Sequence, residues 1–343
     1  MTERRYTKTF RVTTTTAFAT SAARSSSSKT SRSKSSRKPS PSASTSNCKA
    51  TAWSCTACAR TAANAASRQP GPRWGIVVTA DVRGKRVLVT GAASGIGRSF
   101  AETLAAGGAA GLGLIDVSEE GLAAVAGSLG THAVSGATPP EVATRVADVS
   151  DGPAVTAVID ELAERLGGLD WAIHCAAILG PGTFAEQPPE EFERVVRVNL
   201  IGTANVARAC FPHLRTTSGA IACIASTAAV HGWPEMSAYS ASKFGVSGFC
   251  DAIRQEFARE GVRVTAVYPL LIDTPMLGGA DRAPILKQGK AIPPSAVVRR
   301  TLAGLARGAP RVFVPGQVRV IAAAHGLAPS LLDAYGRRFG LRR

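Results

Sequence analysis

The sequence predicts an α/β protein: one doubly wound domain, a parallel sheet of about seven strands flanked by helices, behind a disordered basic N-terminal tail. Three observations predict it. From Gly84 onward, short apolar runs alternate with helical stretches, which is the pattern of repeated strand–helix–strand units around a parallel sheet. Near the start of that region an apolar strand runs straight into a glycine turn and then a helix. Before it, the composition is different: residues 1–74 hold 14 of the 40 Lys and Arg but one of the 24 Asp and Glu, so about +13 of the net +16 lies there. The domain division that follows is a tail over 1–80, a nucleotide-fold domain over 81–316 and an amphipathic extension over 317–343.

The tail is rich in Ser and Thr and poor in large apolar residues, so it cannot bury enough surface to offset the entropy of ordering. Its makeup fits, in this order, a functionless extension ahead of the true start, an organelle transit peptide and a nonspecific nucleic-acid arm. Cys48, Cys55 and Cys58 fall in it without a second pair or a nearby His, so no metal site is predicted. Cys175, Cys210, Cys223 and Cys250 sit in apolar runs, as buried reduced thiols do. With no stretch of 18 or more apolar residues, the expectation is a soluble, cytoplasmic protein, with organelle targeting by the tail as the alternative.

The first strand, Lys85-RVLVT, enters the turn Gly91-AASGI-Gly97, and RSFAETLAAGG follows as a helix. Gly91, Gly95 and Gly97, with Ser94 and Ile96 between them, let the backbone turn tightly and come close to a pyrophosphate met by helix-start amides. The second strand, GLGLID, ends in Asp116. That carboxylate either caps the helix SEEGLAAVAGSL or accepts hydrogen bonds from adenosine ribose hydroxyls. No Arg or Lys occurs at Ala92, Ala93, Ser94 or Val117 to neutralise a 2′-phosphate, which favours NAD over NADP. The Gly97-to-Asp116 separation agrees with the ~20 residues of a dinucleotide fingerprint.

ATRVADV is read as the third strand, with Asp148 and Val149 at its end. Asp148 either reaches an adenine amino group or caps the helix DGPAVTAVIDELAERL, and both readings stay open. LDWAIHCAAI is the fourth strand and GAIACIAS the fifth, which places Ser226 at a carboxyl end. SAYSASKFGVSGFCDAIRQEFARE has the apolar spacing of a helix and carries Tyr239 and Lys243 four residues apart, on one face. A cation beside a phenol favours phenolate and would draw tyrosine's pKa down from ~10, as a proton donor and acceptor for an alcohol/ketone pair requires.

Together these residues resemble the short-chain dehydrogenase/reductase family over roughly Val82 to Val314. Thr90-Gly91-AAS-Gly95-Ile96-Gly97 matches the family's glycine motif, and Ser226, Tyr239 and Lys243 stand at its catalytic spacing. Asn199, in RVVRVNLIGT, fits its fourth catalytic position, an Asn in a helix bend that holds a water linked to the lysine. The resemblance implies a Rossmann-type fold and hydride transfer between a nicotinamide cofactor and a secondary alcohol or ketone. In that chemistry Tyr239 moves the proton, Ser226 binds the substrate oxygen and Lys243 holds the nicotinamide ribose. It also implies a homodimer or homotetramer through the helices carrying Asn199 and Tyr239, and adds Ala176, Pro269, Ile272 and Thr274 to the cofactor contacts.

Departures from the family pattern are equally specific. His174-Cys175-Ala176-Ala177 replaces Asn-Asn-Ala-Gly, Pro269-Leu270 replaces Pro-Gly, and Asp273 precedes Thr274. His174 and His231 are read as structural or pocket-lining, since no carboxylate is evident to orient His231 as a base. The loops beyond the strands offer Leu179, Phe184, Trp233, Met236, Leu271, Met276, Leu277, Ile285 and Leu286. These predict an apolar substrate such as a steroid, terpenoid or lipid-like carbonyl. The closing segment from Gln317 is amphipathic and would cover the pocket, meet a partner subunit or lie on a membrane surface. A competing function, an NAD-sensing protein of the same fold without turnover, would not need Asn199, Ser226, Tyr239 and Lys243 together.

Overall fold

A computed structural model of the chain describes residues 81–129, 139–278 and 289–339. The tail with its three cysteines, most of the loop before the third strand, Ile285, Leu286 and the last four residues lie outside that set.

Seven parallel strands form one sheet in the order β3-β2-β1-β4-β5-β6-β7. They are β1 (Arg86–Thr90), β2 (Gly111–Asp116), β3 (Glu141–Val146), β4 (Trp171–His174), β5 (Ala220–Ile224), β6 (Arg263–Pro269) and β7 (Arg311–Val314). The helices are α1 (Gly95–Ala106), α2 (Glu119–Leu129), α3 (Gly152–Arg165), α4 (Pro189–Val196), α5 (Gly202–Thr216), α6 (Ser237–Ala258), the four-residue α7 (Pro275–Gly278), α8 (Pro294–Ala306), α9 (Val318–Leu327) and α10 (Pro329–Phe339). Strand order reverses between β1 and β4, which opens a crevice at their carboxyl ends.

Successive strand residues point to opposite faces, and both faces are covered. Leu88, Ile115, Ile221 and Cys223 pack with Val155, Ile159 and Leu162 of α3, Val206 and Leu214 of α5 and Val246 of α6. Val87, Val89, Leu112 and Leu114 pack with Phe100 and Leu104 of α1, Leu122 and Val125 of α2 and Val297 and Leu302 of α8. This is why the central strands read as continuous apolar runs. Among the described residues, no helix is long and apolar enough to cross a membrane, and Cys175, Cys210, Cys223 and Cys250 are free.

Three strands are shorter than their apolar runs suggest: β3, β4 and β5, the last ending at Ile224. β3 ends at Val146 because its neighbour β2 ends at Asp116, its partner there, so Asp148 lies two residues beyond the ladder. β4 stops at His174, paired with Thr90, the last residue of β1. Asn199 falls in a π-helical turn, Arg197–Ile201, between α4 and α5, a local widening of the helix that frequently occurs at functional sites.

Candidate active site

A cavity of about 720 Å³ lies in the crevice at the strands' carboxyl ends. Its wall includes Gly91, Ser94, Gly95, Ile96, Gly97, Asp116, Asp148, Val149, Ala176, Ser226, Tyr239, Lys243, Pro269, Ile272 and Thr274. Of the site residues expected from sequence, Asn199 alone is not part of it.

The glycine turn is shaped by close approach. Gly91 has φ +65°, and a Cβ there would stand 2.7 Å from the Ala176 amide nitrogen; at Gly97 it would stand 2.0 Å from the Gly91 carbonyl oxygen. No side chain larger than hydrogen fits either place. Ser94 holds the N-cap position of α1 but makes no side-chain cap bond, so the first amides of this helix face the cavity without a side-chain partner from it. An uncapped helix start behind a glycine cradle fits a dinucleotide diphosphate.

Asp116 does not cap α2. Its Oδ2 accepts from the Ala93 amide at 3.0 Å and its Oδ1 from the Ser118 amide at 3.0 Å, while Ser118 Oγ caps the helix by accepting from Gly121 at 3.1 Å. The carboxylate therefore ties β2 to the glycine turn at the edge of the cavity. Asp148 is not a helix cap either: Asp151 performs that task on α3, accepting from Ala154 at 3.0 Å. Asp148 Oδ1 accepts from the Ser150 amide at 2.8 Å, and the residue stays exposed on the cavity wall. Asp273 is exposed and off the wall, its amide bonded to the Ile292 carbonyl at 2.9 Å; Thr274 faces inward.

Ser226 lies two residues past β5 rather than in it, where its Oγ accepts from the Ala228 amide at 3.1 Å and meets the Tyr239 phenol. One turn beyond Tyr239, Lys243 Nζ donates to the Ile224 carbonyl at 2.8 Å and stands 5.6 Å from the phenol ring centre. Both groups are buried, and burial dominates their titration. It holds the Lys243 ammonium down to about 8. It raises the Tyr239 phenol above its ordinary value, against a smaller opposing effect of the Ser226 bond. The expected acidification of the phenol by the lysine is thus corrected: exclusion of water from the phenol outweighs its neighbours.

Asn199 acts behind the wall. Fully buried, it accepts from the Ile178 amide at 2.8 Å and donates to the Ile178 carbonyl at 2.9 Å and to Ser242 Oγ at 3.0 Å. Ser242 in turn donates to the Tyr239 carbonyl at 2.7 Å. One side chain thereby fixes the strand-4 loop against the helix that carries the phenol. His174 is off the cavity wall and buried, with Nδ1 2.8 Å from Thr90 Oγ1. Burial takes its pKa to about 3, so it is a neutral brace between β1 and β4.

His231 departs from expectation, because a carboxylate does lie near it: Asp333 of α10, at 4.0 Å from Nε2. The ring also packs edge-on against Trp233 and His325, so it joins the C-terminal helices to the loop between Ser226 and Tyr239. Leu179, Trp233, Met236, Leu271, Met276 and Leu277 line the cavity as expected, whereas Phe184 is 70% exposed and does not. Ile321, Leu332 and Tyr335 of α9 and α10 line it too. Sequence reasoning did not single them out; the only signal was the amphipathic pattern of the closing segment.

A family model described as short chain dehydrogenase matches residues 85–284. The chain belongs to the short-chain dehydrogenase family. Its relatives include levodione reductase of Leifsonia aquatica, 38% identical over 193 residues that cover 56% of this chain and 70% of that one. Another is 2-dehydro-3-deoxy-L-rhamnonate dehydrogenase (NAD(+)) of a Sphingomonas species, 36% identical over 197 residues, 57% and 74% of the two chains. A crystal structure of levodione reductase superposes with a TM-score of 0.61 at 28% identity, covering 68% of this chain and 97% of that one. One of a Burkholderia phymatum short chain dehydrogenase in complex with NAD gives 0.65 at 24% identity, covering 74% and 96%, a likeness of fold. This short-chain dehydrogenase is thus an oxidoreductase of a family that acts on CH–OH groups with a nicotinamide cofactor, and the glycine cradle fits that cofactor.

Proposed function

We propose that this dehydrogenase interconverts an apolar secondary alcohol and its ketone, with NAD preferred over NADP. The observation that carries the reading is the convergence of Tyr239, Ser226 and Lys243 on a cavity that Trp233, Met236 and Leu271 also line.

Gly91, Gly95 and Gly97 with the start of α1 would hold the diphosphate, Asp116 the adenosine ribose, and Lys243 and Thr274 the nicotinamide half. The bound nicotinamide supplies or accepts the hydride. Ser226 Oγ orients the substrate oxygen by hydrogen bonding, and Tyr239 gives that oxygen a proton in reduction or removes one in oxidation. Burial raises the phenol above its ordinary value, so the protonated form that donates in reduction persists through neutral pH, and oxidation needs the proton removed. Asn199 is a positioning residue that holds Ile178 and the start of α6 in register. The preference for NAD rests on the Asp116 carboxylate at the cavity edge, which would repel a 2′-phosphate, and the rhamnonate dehydrogenase named for NAD(+) supports it. Assembly as a dimer or tetramer is supported by Ile201 and Phe244, exposed at 46% and 41% on the helices that carry Asn199 and Tyr239.

The test is a screen of steroid, cyclic and aliphatic ketones against sugars and polyols, followed by nicotinamide absorbance with NADH and NADPH in parallel. Turnover of apolar ketones, lost by about 10³-fold in Tyr239→Phe, is the expected result. Turnover of polyols alone would defeat the substrate assignment, and equal use of both cofactors would defeat the role given to Asp116.

A further inference from the structure

The matched family region stops at residue 284, yet the cavity wall does not. Ile321 of α9 and Leu332 and Tyr335 of α10 complete it. Their helices are docked on the loop that separates Ser226 from Tyr239. His231, 4% exposed, packs edge-on against both Trp233, at 4.7 Å between ring centres, and His325, at 5.4 Å. Trp233 meets the Tyr335 ring at 6.3 Å, edge-on. Gly336 is buried against Pro234: a Cβ added there would lie 3.5 Å from the proline ring. Trp233 therefore faces the cavity on one side and the C-terminal helix pair on the other.

We infer that α9 and α10 form a substrate subsite that receives the distal hydrocarbon of the ketone and selects long, apolar substrates over small ones. Three features support that assignment. The contributed side chains are aliphatic or aromatic, so they offer dispersion and exclusion of water rather than hydrogen-bond recognition. They share the cavity with Trp233, Met276 and Leu277, and Tyr335 meets the Trp233 ring, more than two hundred residues beyond the glycine turn that would hold the cofactor. Part of the segment's amphipathic pattern is also accounted for: Ile321, Leu332 and Tyr335 line the cavity, while Arg319, Arg337 and Arg338 are exposed, as are Val320, Leu327 and Leu331. A pocket closed by a hydrocarbon wall discriminates by length, since each buried methylene contributes a several-fold gain in affinity.

The inference rests on the carbonyl reading above, and one kinetic series separates the two. Full-length protein is assayed with cyclohexanone and with linear methyl ketones of increasing chain length, in wild type, Leu332→Trp and Leu332→Ile. Wild type should show kcat/KM rising with chain length. Leu332→Trp, which fills the subsite, should lose about tenfold or more on the longest ketones, mainly through KM, with a loss that shrinks as the substrate shortens to cyclohexanone. Leu332→Ile should retain the wild-type profile. A flat chain-length profile in wild type would overturn the subsite while leaving the carbonyl reading intact, and so would a Leu332→Trp profile that drops equally for all substrates. Absence of turnover for every ketone in wild type would defeat the carbonyl reading, and the subsite with it.

Discussion

Lys243→Met should make the protein more stable at neutral pH while removing its activity. The ammonium is 2% exposed, and burial holds its pKa near 8 against an ordinary 10.5. Between those values the unfolded chain binds a proton that the folded chain has released, so this group's contribution to stability rises with pH across that window. Below pH 8 the lysine is charged in both states and the folded state bears the whole cost of burying the charge, ~3 kcal/mol at ~1.4 kcal/mol per pH unit. Methionine has a similar unbranched shape and no charge. It also leaves the Ile224 carbonyl, which Lys243 reaches at 2.8 Å, without that donor, a loss of ~1–2 kcal/mol.

The net expectation is a gain of ~1–2 kcal/mol below pH 8, or ~3–6 °C in melting temperature for a domain of this size. The sign should reverse before pH 10.5, above which the lysine becomes neutral in both states and only its hydrogen bond distinguishes the two proteins. Other groups titrate in the same range, so the quantity to measure is the difference between urea midpoints of the two proteins at each pH. A variant less stable than wild type at neutral pH, with a difference that does not change across the window, would refute the reasoning.

Three further outcomes follow from the same structure. Gly97→Ala should destabilise by ~3 kcal/mol or more and abolish dinucleotide binding, because its Cβ would fall 2.0 Å from the Gly91 carbonyl. Gly127→Ala in α2, where nothing lies within 4 Å, should stabilise by ~1 kcal/mol; thermal melts and NADH fluorescence titrations check both. Asn199→Ala removes two bonds to Ile178 and one to Ser242. It should cost ~2–4 kcal/mol, seen as a lowered urea midpoint, with kcat falling more than KM rises as Tyr239 loses its register. Since the Tyr239 phenol is raised by burial, alcohol oxidation should climb with pH without levelling off below tyrosine's ordinary value, and reduction should stay flat through neutral pH. A bell-shaped reduction profile centred on neutral pH would contradict that.

The sheet, its winding and the glycine cradle were legible in the sequence because each has a local cause. Val87, Leu88 and Val89 form a strand buried on both faces, and Gly91 and Gly97 occupy places where any Cβ collides with backbone. What the sequence obscured depended on partners distant in the chain. Whether Asp148 caps α3 depends on where the helix begins: the ladder ends at Val146 and the helix starts at Gly152, so Asp148 stops short of the cap position, which Asp151 holds. For Asp116 the sequence leaves cap and ribose ligand open, and the structure removes the cap: one bond to each oxygen, from Ala93 and Ser118, ties the carboxylate to the glycine turn on the cavity wall and leaves each oxygen further acceptor capacity. The sign of the Tyr239 shift was misjudged for a related reason. Spacing along a helix predicts that an ammonium is near a phenol, but not that both are sealed from water, and desolvation then exceeds the pair attraction.

The C-terminal helix pair is the extreme case. Nothing in the order of Ile321, Leu332 and Tyr335 indicates a cavity, because the surface they meet is made by His231, Trp233 and Pro234, about a hundred residues earlier. The chemistry of this enzyme is written in short motifs that a linear reading recovers, since proton transfer and phosphate binding require particular atoms at particular spacings. The selectivity proposed for it rests on contacts between segments, where many apolar residues would serve and only the fold says which ones meet.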